Sequence, residues 1–221
     1  MMKLTYLGHS AFEIETNGAK ILLDPFLEAN PAYRAQGITD ILLTHGHADH
    51  LGSAVEIAVQ NNATITAVFE LAQYCANRGA KVNPMNLGGW LNYAWGRVLP
   101  VQAAHSSSTP DGAYAGCACG YMIQIAQTRL YYAGDTALMP QMKFFAKTYR
   151  PDIAILPVGG QFTMDISQAC IAAHDLGVKA CIPMHYNTFE AIRADMDEFT
   201  QMMQAMKVEP LVMPIGGYLQ F

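Results

Sequence analysis

The segment Thr44-His45-Gly46-His47-Ala48-Asp49-His50 sets three imidazoles and one carboxylate within six positions, directly behind the apolar run Ile41-Leu42-Leu43. Three such rings cannot be buried beside a strand unless their nitrogens find polar partners. The apolar run predicts a buried strand over 40–43, so the rings emerge where strand gives way to loop. Neutral imidazole and carboxylate are the donors that zinc and its first-row neighbours accept. The segment therefore predicts a metal site, and a metal that does chemistry.

The rest of the chain suits a well-packed enzyme. Its 221 residues are 52% apolar and 14% charged, enough for a sizeable core. That length allows one large domain or two small ones. No linker, charge run or composition shift marks a boundary, so one domain over 1–221 is expected. The net charge is −5 with no cluster of Lys or Arg, which argues against nucleic acid held through its phosphates. The start, Met1 to His9, is too short and polar for a signal-peptide core. No apolar run approaches the roughly 20 residues of a membrane span. The five cysteines are scattered (Cys75, Cys117, Cys119, Cys170, Cys181); with no export signal, reduced thiols in the cytoplasm are the simplest account. Cys117-Ala118-Cys119 lacks the two-residue spacer of redox and zinc motifs. Oligomeric state is left open, a homo-oligomer included.

Period-two patterning predicts strands over 3–7, 11–15 and 20–23, with Asn17-Gly18 as the hairpin turn between the last two. Helical spacing follows over 51–60 and 70–78, around a strand over 64–68. Strands are expected again over 90–95, 98–104, 120–126 and 128–133. Helices over 141–149, 166–176 and 195–207 then alternate with strands over 153–156 and 179–183. Short strands over 210–213 and 218–221 close the chain. Asp165 and Gln168 fit a capping box. These elements predict two sheets packed face to face with helices on the outer faces.

Three further strands each end on one potential ligand: His105 after 98–104, Asp135 between Gly134 and Thr136, and His185 after Ile182-Pro183-Met184. Alternation turns His45 and His47 to one side of an extended loop, while Asp49 and His50 fall at a helix start and aim elsewhere. One cluster can thus feed two adjacent metals, which together acidify a shared water and stabilise an attacked oxyanion.

The chain resembles the metallo-β-lactamase superfamily, whose His-x-His-x-Asp-His signature is matched at His45, His47, Asp49 and His50. Asp24 in Leu22-Leu23-Asp24-Pro25, His105, Asp135 and His185 match its remaining motifs in order. The resemblance implies an α/β fold, a four-layer αββα sandwich. It implies one metal held by His45, His47 and His105, a second by Asp49, His50 and His185, and Asp135 bridging them. Asp24 would orient the His loop by hydrogen bonds. Leu7-Gly8-His9-Ser10, the segment Pro157 to Asp165, and Pro183-Met184-His185-Tyr186 look like the small metal-dependent hydrolases similar to ascorbate-6-phosphate lactonase. The phospholipase D that cleaves N-acyl phosphatidylethanolamine is a more distant likeness.

Other residues carry weaker signals. His9, needed by neither metal set, is a candidate acid, base or substrate contact, and Asp49 a candidate for managing the proton. Ser106, Asp165 and Tyr186 join Asp24 as supporting or substrate contacts, although a serine run is usually a solvated loop and Asp165 is first a helix cap. His174 reads as a helix-surface histidine, and the thirteen methionines as core filler.

The expected function is hydrolysis of a small-molecule ester, lactone or phosphodiester by a metal-bridging hydroxide. Two divalent ions are expected, zinc first, with manganese, iron or nickel as alternatives. An iron redox enzyme is the first rival; superfamily members of that kind typically carry glutamate where this chain has His47. A nuclease would need the basic surface that is missing here. A binding module with a dead site fits poorly with a full ligand set.

Overall fold

The computed structural model describes residues 1–221. Strands β1 (Met2–Gly8), β2 (Ala11–Thr16) and β3 (Ala19–Leu23) form an antiparallel meander. The β2–β3 turn has positive φ at both Asn17 (46°) and Gly18 (78°), the backbone of a type I′ hairpin turn. The chain then runs through β4 (Asp40–Leu42), α1 (Ala48–Leu51), α2 (Ala54–Asn61), β5 (Thr64–Val68), α3 (Phe69–Ala76) and β6 (Lys81–Met85), with β3 to β6 parallel.

The second half opens with antiparallel β7 (Leu91–Tyr93), β8 (Gly96–Gln102), β9 (Cys119–Ile125) and β10 (Thr128–Tyr132). It continues as α4 (Gln141–Thr148), β11 (Ile153–Pro157), α5 (Ile166–Leu176), β12 (Ala180–Met184), α6 (Met196–Ala205), β13 (Glu209–Pro210) and β14 (Tyr218–Gln220). Strands β10 to β13 are parallel, whereas β14 returns to pair with β1. The outcome is two mixed sheets of seven strands each, ordered β14-β1-β2-β3-β4-β5-β6 and β13-β12-β11-β10-β9-β8-β7.

Every residue of β11 and β12 is buried, as expected for parallel strands covered on both faces. Helix α5 turns Ile166, Ala169, Cys170, Ala173 and Leu176 inward, and its N-terminus carries the expected capping box between Asp165 and Gln168. Helix α6 buries Phe199 and Met203, one turn apart. His174 is on the surface of α5, as its spacing predicts. One continuous apolar cluster joins residues of both sheets and the helices. No helix is long and apolar enough to cross a membrane.

Four local expectations change. The helix expected over 51–60 is broken into α1 and α2 at Gly52, where a side chain would run into the backbone carbonyl of Pro25. Strand β6 was not signalled, because Pro84 and the polar Lys81 and Asn83 suit an edge strand rather than a buried one. The strand expected over 90–95 shortens to Leu91–Tyr93 before turning into β8, and that over 210–213 to Glu209–Pro210 at the sheet edge.

Candidate metal centre

The His loop is fixed from behind by one buried carboxylate. Asp24 lies just past β3, wholly buried, with φ at +39°. Its Oδ1 accepts the Thr44 N–H at 2.8 Å, and its Oδ2 accepts the Thr44 hydroxyl at 2.6 Å. The same Oδ2 accepts from His50 Nδ1 and from the Tyr132 hydroxyl, each at 2.8 Å. Having given its proton to Asp24, the Thr44 Oγ1 can only accept from His45 Nδ1, 3.0 Å away. The network thus assigns the Nδ1–H form to both His45 and His50 and turns both Nε2 lone pairs inward. His45 Nε2 meets His47 Nδ1 at 3.0 Å.

The second sheet supplies the facing residues. Asp135 follows Gly134, whose φ is +60° and whose added Cβ would stand 2.8 Å from the Thr44 side chain. Only glycine lets the Asp135 turn approach the His loop this closely. The Thr136 hydroxyl accepts the Ala104 N–H at 3.0 Å and Ala137 donates to Ala104 O at 3.2 Å, tying the His105 and Asp135 segments together. Asp135 Oδ1 is 3.2 Å from His50 Nε2. Its Oδ2 is 3.2 Å from His185 Nε2 and 3.5 Å from His105 Nε2. His185 Nε2 is also 3.5 Å from Asp49 Oδ2.

His9 reaches the same place, although the sequence assigned it to neither metal set. It is buried, with its Nε2 3.1 Å from Asp49 Oδ2 and its Nδ1 3.1 Å from Thr188 Oγ1. Its carbonyl accepts the His185 N–H at 2.9 Å, which fixes the two rings 4.3 Å apart. Three groups of donor atoms result, each within 4.8 Å internally: His45, His47 and His105; His9, Asp49, His50 and His185; and, behind them, Asp24 with His45 and His50. Asp135 lies between the first two. The side chains of Asp49 and His105 are 30% and 14% exposed while those of His9, His50, Asp135 and His185 are 3% or less, and His47 is also partly exposed, so the centre opens past Asp49, His47 and His105.

Burial holds His45 well below the ordinary imidazole pKa and also lowers His47, His105 and His9, in the last case against the pull of Asp49. Burial acts the same way on His50, but Asp135 and Asp24 outweigh it and hold its pKa well above the ordinary value. His185 is pushed up to about 9 because its bonds to Asp135 and Asp49 outweigh burial. Asp49 and Asp135 stay anionic: burial opposes this, but His185 and His9 dominate at the former and His50 and His185 at the latter. His50 Nε2 and Asp135 Oδ1 are buried without a hydrogen-bond partner, as is His185 Nδ1. Buried polar atoms rarely lack a partner without a reason. Neutral His45, His47, His105 and His9, anionic carboxylates, and two imidazoles, His50 and His185, whose raised pKa values reflect the negative charge around them, together fit a divalent cation that would take the place of those protons.

The remaining candidates divide. Asp24 orients the loop as expected. Ser106 is exposed and makes no hydrogen bond to these residues, whereas its neighbour Ser107 accepts the Gly46 N–H at 3.2 Å and donates to Ala115 O at 3.3 Å. The Asp165 carboxylate caps α5, accepting from Gln168 N at 2.8 Å, and bonds none of the donor residues. Tyr186, half-buried, lines a cavity of about 530 Å³ that also has His9 in its wall. Thr44 and Thr136 went unassigned although each adjoins a motif residue, and nothing in the sequence marks Tyr132.

The beta-lactamase superfamily domain model matches residues 3–185, which span the whole centre. With the two seven-stranded sheets and the His and Asp cluster at their strand ends, this places the chain in the metallo-β-lactamase superfamily. A UPF0173 metal-dependent hydrolase of Methylacidiphilum infernorum is 44% identical over 203 residues, 89% of this chain and 90% of that protein. Another, from Carboxydothermus hydrogenoformans, is 42% identical over 221 residues, 97% of this chain and 98% of that one. The structure of Igni18, a novel metallo hydrolase from the archaeon Ignicoccus hospitalis, superposes at a TM-score of 0.89 with 34% identity, covering 100% of this chain and 99% of that one. The chain belongs, within the superfamily, to the UPF0173 metal-dependent hydrolases.

Proposed function

We propose that the chain holds two divalent cations and hydrolyses an ester, lactone or phosphodiester of a small molecule. His45, His47 and His105 would hold one ion, and Asp49, His50 and His185 the other, with Asp135 shared and His9 beside the second group. Bound there, a metal pair supplies an acidified water and a Lewis-acidic seat for negative charge developing on the attacked group. The donor chemistry accepts zinc, and also manganese, iron or nickel.

The protein's own groups do the rest. Asp24 and Thr44 fix the tautomers of His45 and His50, so no ring has to reorient when charge builds up. Asp49, the more open of the two central carboxylates, is anionic and sits at the mouth, where it can take a proton from the nucleophile. His9, hydrogen-bonded to Asp49 and kept mostly neutral by burial, can relay that proton toward the leaving group.

The observation that carries this reading is the buried pair His50 Nε2 and Asp135 Oδ1, which face each other at 3.2 Å without hydrogen-bond geometry inside a ring of imidazoles. The test is elemental analysis of protein purified without chelators or a His-tag, followed by a screen of ester, lactone and phosphodiester substrates. Two metals per chain and a turnover abolished by EDTA are expected. A single iron with oxygen-dependent turnover, or hydrolysis indifferent to EDTA, overturns it.

A further inference from the structure

The cavity beside His9 says what kind of molecule the centre serves. Phe26, Phe189, Met213, Pro214 and Ile215 form its apolar side, while Tyr6, Tyr186, Asn187 and Thr188 add neutral polar groups and Glu28 is the one acidic side chain. Of the thirteen Lys and Arg residues, none lines it. The His9 ring packs against both phenyl rings, 5.3 Å from Phe26 and 5.4 Å from Phe189, which stand 6.2 Å from each other. The same ring contacts Asp49 at the open edge of the centre, so the cavity is separated from the candidate ligands by the His9 ring alone.

The apolar rim is already formed. The segment carrying Met213 to Ile215 is pinned to β1 by Gly216 N–H to Tyr6 O at 2.8 Å and Tyr6 N–H to Gly217 O at 2.9 Å. At Gly8 the fit is close, since an added Cβ would stand 2.8 Å from Ala29 and 3.3 Å from Ile215. Phe189 and Ile215 remain 45% and 50% exposed, which is large apolar surface left open at the mouth of a concave site.

We infer, resting on the hydrolase reading above, that this cavity takes an uncharged apolar acyl or alkyl limb, and that the substrate is a neutral carboxylic ester or lactone rather than a phosphorylated compound. An anionic limb would lose its water, meet no counter-charge and lie beside Glu28. An apolar limb gains from each methylene it buries.

Two measurements on the full-length, metal-loaded protein test this. In the first, kcat/KM is followed across methyl esters from acetate to octanoate. It should rise about fourfold per added methylene until the cavity is filled. In the second, calorimetry compares octanamide with octanesulfonate, an anion that ligates metals poorly, and octanamide should bind the tighter. Ile215→Lys, at an exposed rim position, should weaken octanamide by roughly tenfold and strengthen octanesulfonate. Ester hydrolysis that is flat or falling with chain length overturns the inference and leaves the hydrolase reading standing. Turnover of a phosphodiester without any ester or lactone hydrolysis overturns the inference and leaves the hydrolase reading standing, whereas no turnover of any of the three together with a clear preference for octanamide overturns the hydrolase reading and upholds the limb preference. Equal or tighter binding of octanesulfonate by the native chain overturns the inference whatever the kinetics.

Discussion

His50 donates its Nδ1 proton to Asp24 Oδ2 over 2.8 Å, with both side chains completely shut off from solvent. A buried bond of this kind determines which nitrogen faces the centre. Asp24→Asn puts an amide where a carboxylate accepts four donors, so at least one of Thr44, His50 and Tyr132 must lose its partner. The expected result is a 10- to 100-fold loss of metal affinity with the fold retained, read by competition against a calibrated chelator. An affinity within twofold of the native value would refute the orienting role.

Gly134 is a second point of control. Gly134→Ala combines a left-handed backbone with a Cβ 2.8 Å from Thr44. Gly177 has a similar φ of +66° and nothing within 4 Å of an added Cβ, so Gly177→Ala isolates the backbone cost. Urea unfolding should show Gly177→Ala losing about 1 kcal/mol and Gly134→Ala losing more, about 2–3 kcal/mol or beyond. Equal losses would mean that the approach to Thr44 is loose.

Metal removal should be visible as lost stability. A ligand present at 100 times its Kd stabilises the native state by about 2.7 kcal/mol. For a chain of this size that corresponds to a Tm about 5–10 °C lower after chelation. Scanning calorimetry with and without EDTA measures it, and coincident transitions would count against any tightly held ion.

Asp152 gives the pH dependence a defined sign. Burial opposes its charge, but bonds from Arg129 Nε and backbone N–H at 3.1 Å, and from Lys179 Nζ at 3.3 Å, hold its pKa below the usual carboxylate value. The folded pKa is the depressed one, so this stabilisation is full above the unfolded pKa near 4 and is lost as pH falls through the folded value. The group is partly exposed, so about 1 kcal/mol or less is expected. Asp152→Asn should therefore unfold at lower urea than the native chain at pH 6 and converge with it near pH 2.5. A gap that widens on acidification would reverse the assignment.

What could be read from the chain beforehand was whatever depends on neighbours in sequence. Strand ends bearing His45, His105, Asp135 and His185 follow from apolar runs that stop at a polar residue, and the Asp165 cap follows from a three-residue spacing. Asp24 came only through resemblance to a family, since an Asp-Pro after a strand is ordinary turn chemistry. What stayed hidden depends on distance in space. His9 joins the donor groups because His185 bonds its carbonyl from 176 residues away. Tyr132 supports Asp24 across the two sheets, and Ser107 rather than Ser106 meets Gly46 because Ala115 closes the loop from behind. The break at Gly52 is likewise imposed by Pro25.

The two donor groups that would hold the proposed ions take members from both sheets: His105 completes His45 and His47, and His185 completes His9, Asp49 and His50. Neither half of the molecule offers a finished coordination shell. A refolding chain would therefore begin to retain its ions only after the sheets had docked, which makes the moment of uptake a clock for that late step.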